Sequence, residues 1–178
     1  DLIAKYVNFD AVGFAVLAST DLRQGLDSLS RYLALISSAT TFELQLDGPD
    51  AWLAIGHTGY TQPVPWQRSA HSLLTVLTLC RWATRRPIEP LQAEFHFPQP
   101  CDHGALARAL NCPIRFSCAD SRFLLSGADL ALEIPSRDPV LLNLHERVMQ
   151  ERLISLDATT VRQRVQDEIR RWLHLGEP

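Results

Sequence analysis

The residues of this chain best suited to chemistry are its four cysteines and six histidines. Cys101-x-His103, followed by Cys112 and Cys118, offers the four nitrogen and sulfur donors that a closed structural zinc site needs. The spacing argues against such a site. A C-x-x-C knuckle is missing, and Cys112 stands directly before Pro113 at a corner of the chain. We therefore expect no metal and no cofactor, with Cys112 in the core and Cys101 partly exposed. Cys80 lies in an apolar run, where a thiol behaves as a small buried hydrophobe. The sequence has no G-x-S-x-G elbow, no H-E-x-x-H pair and no glycine-rich phosphate loop. No catalytic residue is nominated on this basis, and no enzyme activity is expected. His96 alternates with Phe95 and Phe97, so it faces away from the side they line. That suits a solvent-facing or hydrogen-bonded histidine better than a catalytic one.

Ligand binding is the other chemistry open to these residues. Small-molecule sites are mostly apolar hollows with a few polar anchors. The loop from His57 to Trp66 gathers His57, Tyr60 and Trp66, and Trp52 precedes it on a strand. Arg115 and Arg122 have the forked geometry that grips a carboxylate. These six residues are the candidate ligand contacts. The alternative for each is plain: the tryptophans fill the core and the arginines point to water.

The elements that must position them follow from periodicity. Residues 2–19 are apolar with few charges, and the frequent alanine and leucine favour a helix. Thr20-Asp21 reads as a helix start, followed by Leu22, Leu26, Leu29, Leu33 and Ile36 at helical spacing. Residues 41–46 alternate with period two, and Asp47-Gly48-Pro49-Asp50 turns the chain into a return strand at 51–55. Residues 69–84 form a long, mostly buried helix that ends on basic residues before Pro87. Residues 91–97 read as a strand, 104–110 as a short helix, and 114–118 with 122–125 as a second hairpin. A helix followed by a hairpin thus occurs twice. Residues 139–155 form an amphipathic helix. A break is expected at Asp157-Ala158-Thr159, and Thr160-x-x-Gln163 is a capping-box pattern that opens a last helix. The expected fold class is α+β, with a mostly antiparallel sheet built from two helix–hairpin (αββ) units, packed helices, and C-terminal helices beyond them.

Bulk properties bound the function. The chain has 178 residues, 46% of them hydrophobic and 21% charged, with a formal net charge of −3. That is a globular composition large enough for its own core. An acidic balance does not suit direct grip on DNA phosphates. The longest apolar stretch is far short of a membrane span. With no signal peptide ahead of the fold, a reducing cytoplasm is the expected compartment. Both ends read as cuts in a longer protein.

One segment also carries a resemblance. Arg86-Pro87, the strand ending at Phe97, Pro98-x-Pro100, the short helix, Asn111-Cys112-Pro113 and Arg115-Phe116 resemble the N-terminal arabinose-binding-type domain of AraC/XylS bacterial transcription regulators, in the ornithine-utilisation-regulator-like branch. Gly13, the run from Leu17 to Leu22 and Leu79-Cys80-Arg81-Trp82 extend the likeness. The closing Gly176-Glu177-Pro178 is similar to the turn that precedes the first helix-turn-helix unit in that family. The resemblance implies a cytoplasmic regulator whose DNA contacts come from a C-terminal domain absent from this chain. It implies that this chain senses a small-molecule effector (an amino acid, amine or carboxylate) and forms a homodimer. On that reading, residues 1–136 sense the effector, 137–156 form a dimerisation helix, and 157–178 lead to the DNA-binding domain. Leu141, Leu144, Val148 and Arg152 of that helix are the candidate dimer contacts, with packing inside the chain as the alternative. Two other functions are weighed: a stand-alone small-molecule-binding module, and a small enzyme using Cys101, His103 or His57.

Overall fold

A computed structural model describes the backbone over residues 10–59 and 64–174, and the side chains over 11–59 and 64–156. Among the described residues six α-helices and a short 3-10 turn at Leu33–Leu35 flank one sheet. The α-helices are α1 (Asp10–Ala18), α2 (Leu22–Tyr32), α3 (Trp66–Thr84), α4 (Gly104–Leu110), α5 (Gly127–Leu130) and α6 (Pro139–His174). The strands are β1 (Thr40–Asp47), β2 (Asp50–His57), β3 (Gln92–Glu94), β4 (Ile114–Arg115) and β5 (Ser121–Leu125), in the order β1-β2-β5-β3-β4. All pairings are antiparallel except β3 with β4. The α+β class and the mostly antiparallel sheet are those expected.

Local chemistry explains the boundaries. Asp21 caps α2, its carboxylate accepting from the Gln24 N–H at 2.8 Å, while the Gln24 side chain accepts from the Thr20 N–H at 2.7 Å. The β1–β2 hairpin has only Gly48 and Pro49 between its strands. Gly48 has φ 62°, and Pro49 must keep a negative φ, so the turn is of the II′ kind that matches strand twist. Arg85 ends α3 in the left-handed region at φ 54°. Arg81, one turn earlier, donates to the carbonyls of Ile88 and Ala109 and so ties the chain beyond the helix back to it.

The core lies between the sheet and the helices. Alternation puts Ala51, Leu53 and Ile55 of β2, Phe123 and Leu125 of β5, and Ala93 of β3 on the buried side. Leu22, Leu26 and Leu29 of α2 and Leu73, Leu77 and Cys80 of α3 meet them there. Phe42 joins them, but Leu46, expected on the same apolar face of β1, is 59% exposed because the helix cover ends before the strand does. Leu91 is also exposed, although Ala93, Phe95 and Phe97 are buried as expected.

The pairing corrects one expectation. Residues 114–118 and 122–125 do not form a hairpin, because β3 lies between β4 and β5. Ala93 and Phe95 are fully buried, so β3 is an interior strand with backbone groups to satisfy on both edges. β5 takes one edge and β4 the other. Beyond β4 the chain keeps following the same edge, with Ser117 N–H donating to Phe97 and Cys118 N–H to Phe95. The second αββ unit therefore does not repeat the first. Two boundaries also move: α3 starts at Trp66, and α6 runs through residues 157–159 without the expected break. No glycine or proline stands at 157–159, and a capping pattern alone does not stop a helix. The expected end at Gly176 lies outside the described residues. α5, capped by the Ser126 hydroxyl, is one helix the sequence reading missed.

Candidate ligand-binding site

The sheet face turned away from the core carries a polar row in register: Glu43, Ala54, Arg122, Glu94 and Arg115, one residue per strand. Glu94 is nearly buried, at 5% exposure, beneath the two arginines. Arg122 approaches it at 2.8 Å through both Nε and Nη2, and Arg115 at 3.2 Å through Nη1. Gln92 donates a further bond at 3.0 Å. The Arg122 guanidinium also lies 4.1 Å above the Trp52 ring, whose indole N–H donates to Asp47. Three of the six candidate contacts, Trp52, Arg115 and Arg122, are therefore brought together, and the carboxylate between the arginines is the chain's own Glu94.

The other candidates part company. Trp66 opens α3 and packs on Phe97 with ring centroids 5.4 Å apart, beside Phe95 and Phe116, so it belongs to the aromatic scaffold. Tyr60 lies outside the described residues. His57, at the end of β2, lines a hollow of about 380 Å³, within the range of small-molecule sites. The hollow is built where four segments converge. β2 brings Gly56 and His57, the first turns of α3 bring Ser69, the chain after β3 brings His96, and the approach to β5 brings Asp120 and Ser121. Ile55 and Val64 supply apolar wall.

Hydrogen bonding sets the character of this hollow. The Ser121 hydroxyl pairs with His96 Nδ1 at 2.7 Å, which fixes the ring at the rim. Burial, then the positive charge of Arg68, hold the His57 pKa below its usual 6.5, so the ring is neutral at physiological pH. Ser69 is 1% exposed, and its Oγ has no hydrogen-bond partner among the described residues. A buried hydroxyl in that state costs free energy unless something enters to bond it. Ser69, His96, Asp120 and Ser121 were not nominated from the sequence. Only His96 gave a signal, through its alternation with Phe95 and Phe97.

The cysteines form no ligand set. Among the described residues no group of three or more His, Cys, Asp or Glu could hold a metal ion. All four thiols are free; Cys80 is buried, Cys101 exposed, and Cys112 and Cys118 intermediate. On α6, Leu142 and Met149 are buried, and His145 stacks on Phe14 of α1 at 5.8 Å. Leu141, Leu144 and Val148 lie outward, 47%, 56% and 36% exposed, and Arg152 helps line an open hollow beside Leu35. No helix among the described residues is long and apolar enough to cross a membrane.

The helix-backed, mostly antiparallel sheet has a counterpart among solved structures. The structure is similar to the crystal structure of the transcriptional regulator CdpR from Pseudomonas aeruginosa, with a TM-score of 0.60 over 79% of this chain and 46% of that one. At 15% identity the likeness is one of fold, and this chain spans about half the length of that regulator. No curated protein matches it in sequence. Residues 4–134 match the arabinose-binding domain found at the N-terminus of AraC transcription regulators, and the chain belongs to that family.

Proposed function

We propose that this chain is the effector-sensing half of an AraC-type transcription regulator, working in the cytoplasm as a homodimer. The observation that carries the reading is the hollow at the end of β2, with a buried Ser69 hydroxyl that has no partner among the described residues, in a domain of this family. Residues 1–136 hold the effector. The outward stripe Leu141, Leu144 and Val148 of α6, continued by Arg152, meets the same stripe of a second copy, since a two-fold axis makes one apolar surface complementary to itself. Residues 157–178 carry the signal toward a helix-turn-helix domain, which makes the DNA contacts. The role is regulatory, and no residue is assigned to catalysis.

A short route supports the transmission step. Ala39 sits beside the end of β2, its carbonyl accepting from the Thr58 N–H at 3.0 Å next to His57. Four residues earlier, Leu35 faces Glu151, Arg152, Ser155 and Leu156 of α6 across the open hollow. An effector that binds one arrangement of this segment better than another shifts the population of α6 positions, and so of the DNA-binding halves. The test measures the affinity of the full-length protein for its own promoter DNA across a panel of metabolites. We expect one metabolite to change that affinity several-fold. A full-length gene without a helix-turn-helix region overturns the reading.

A further inference from the structure

Thr75, Thr78 and Thr84 of α3 turn their hydroxyls back onto the helix. Each donates to the carbonyl four residues earlier, at 2.8, 2.6 and 2.8 Å. Ser69 of the same helix does not. The carbonyl four residues before it is that of Pro65, which accepts from the Arg68 N–H at 2.9 Å. The Ser69 hydroxyl is buried, has no partner among the described residues, and lines the hollow of about 380 Å³ at the end of β2. It has given up a bond that the helix commonly supplies, and a group entering the hollow restores one.

The hollow lies on the covered side of the sheet. Ile55 and His57 alternate onto the side where Leu53 is buried, Ser121 pairs with Ile55 and is buried too, and α3 packs over both strands. Its inner end meets the first turns of α3, a helix of 19 residues that starts behind Pro65 with no side-chain cap and no acidic residue in its first turn. The unpaired N–H groups of a helix start carry partial positive charge, and this first turn supplies nothing negative to meet them. Val64 and Ser69, on either side of that turn, both line the hollow. Arg68 stands beside Ser69, and its charge reaches His57. The fixed negative charge in the lining, Asp120, belongs to the other end. It is exposed, so water and salt screen it.

These groups favour one kind of head group at the inner end. A carboxylate there accepts from Ser69 Oγ and meets the positive end of α3. An ammonium group there meets that same positive end and the charge of Arg68. A neutral amide can bond the hydroxyl but gains little from the helix.

We propose that this hollow binds a small-molecule carboxylate, its acid group held by the Ser69 hydroxyl and the first turn of α3, and its carbon chain lying against Ile55 and Val64. The inference rests on the reading of this chain as a sensing domain and names the class of effector it takes.

The test is a thermal-shift and calorimetric titration of the whole chain with hexanoate, against hexanamide and hexylammonium, which keep the carbon chain and change the head group. Sodium chloride keeps ionic strength equal throughout. Hexanoate should raise Tm with concentration, and the other two should bind about tenfold more weakly or not at all. Ser69→Ala should weaken hexanoate binding about tenfold, as loss of a hydrogen bond to a charged group does. The same change should leave the unliganded Tm level or slightly raised, because the hydroxyl it removes has no partner among the described residues. Arg68→Gln is the second variant and should weaken hexanoate binding several-fold, more at low salt than at high. Asp120→Asn should leave the affinity level or tighten it. A shift by hexanamide or hexylammonium equal to that by hexanoate overturns the carboxylate assignment and leaves the sensing reading standing. So does a hexanoate response indifferent to both Ser69→Ala and Arg68→Gln, or one that Asp120→Asn weakens. A fall of several degrees in the unliganded Tm of Ser69→Ala means that the hydroxyl is already bonded, and overturns its assignment. No shift with any of the three overturns the site. A hexanoate shift that leaves the DNA affinity of the full-length protein unchanged overturns the sensing reading and leaves the chemistry of the hollow standing.

Discussion

Replacing Glu94 by alanine separates an internal brace from a ligand-facing arginine pair. Glu94 accepts from Arg122 at 2.8 Å, from Gln92 at 3.0 Å and from Arg115 at 3.2 Å. The two arginines are not equivalent. The Arg115 side chain is 67% exposed and that of Arg122 is 29% exposed. A pair as open as Arg115–Glu94 contributes about 0.5 kcal/mol or less, because water screens the charges and holding two long side chains costs entropy. The Arg122 bond is more sheltered, and a charged hydrogen bond of that kind contributes roughly 1.5–3 kcal/mol. Glu94→Ala should therefore destabilise the domain by about 2–3 kcal/mol, with the Arg122 term dominant. For a chain of this size that lowers Tm by roughly 5–10 °C. Glu94→Gln should cost less, since the amide oxygen can still accept from Arg122.

The assay is urea unfolding of Glu94→Ala, Arg122→Ala, Arg115→Ala and the two double variants. The Glu94–Arg122 cycle should return a coupling above about 1 kcal/mol, and the Glu94–Arg115 cycle one near zero. Arg122→Ala carries an added loss of about 0.5–1 kcal/mol from the Trp52 ring beneath it, which the cycle removes. Equal couplings for the two arginines, or a Glu94→Ala cost under about 0.5 kcal/mol, would refute the reasoning. The arginines would then be free to serve an incoming carboxylate, as the sequence suggested.

Other measurements follow from the same geometry. His57 is held below 6.5 in the folded state, so the unfolded chain takes up its proton first. Stability should therefore fall as pH drops through about 6.5 and level off below the folded value. His57→Gln should flatten that part of the Tm–pH curve; an unchanged slope counts against the assignment. Leu144, 56% exposed, should tolerate glutamate with little change in the monomer's stability, while sedimentation velocity should show the dimer lost. A Leu144→Glu variant that stays dimeric moves the interface elsewhere. The Cys80 thiol, buried with its pKa pushed up to about 12, should resist alkylation at mildly alkaline pH while exposed Cys101 reacts. Rapid modification of Cys80 in the folded protein would contradict its burial.

The scaffold was legible where one local signal sufficed. Period-two alternation from Thr41 to Leu46 and the Gly48-Pro49 turn located the first hairpin, and the Leu22–Leu26–Leu29 spacing located α2. The second hairpin misled because strand partners are a non-local choice. Residues 114–118 and 122–125 each read as strands, and nothing between them shows that β3 will insert. The cue lay farther back, in the continuous burial of Ala93, Glu94 and Phe95, which marks an interior strand. Trp66 is ambiguous in another way. An aromatic residue beside a loop has the same sequence signal whether it meets a ligand or packs, as here, at a tilt against Phe97.

The residues that shape the candidate site were illegible for a physical reason. Ser69, Asp120 and Ser121 are ordinary helix-start and turn residues in sequence. Their meaning comes from convergence: Ser69 lies some fifty residues from Ser121, yet both line one hollow with His57. A buried hydroxyl becomes informative only once its neighbours are known, because the same serine elsewhere would bond the carbonyl four residues back, as Ser19 does at 2.8 Å. The arginines carry a different lesson. Their forked geometry suits a carboxylate, and in the structure they meet one inside the chain, that of Glu94. The ground the arginines do not reach includes the hollow that His57, Ser69 and His96 line.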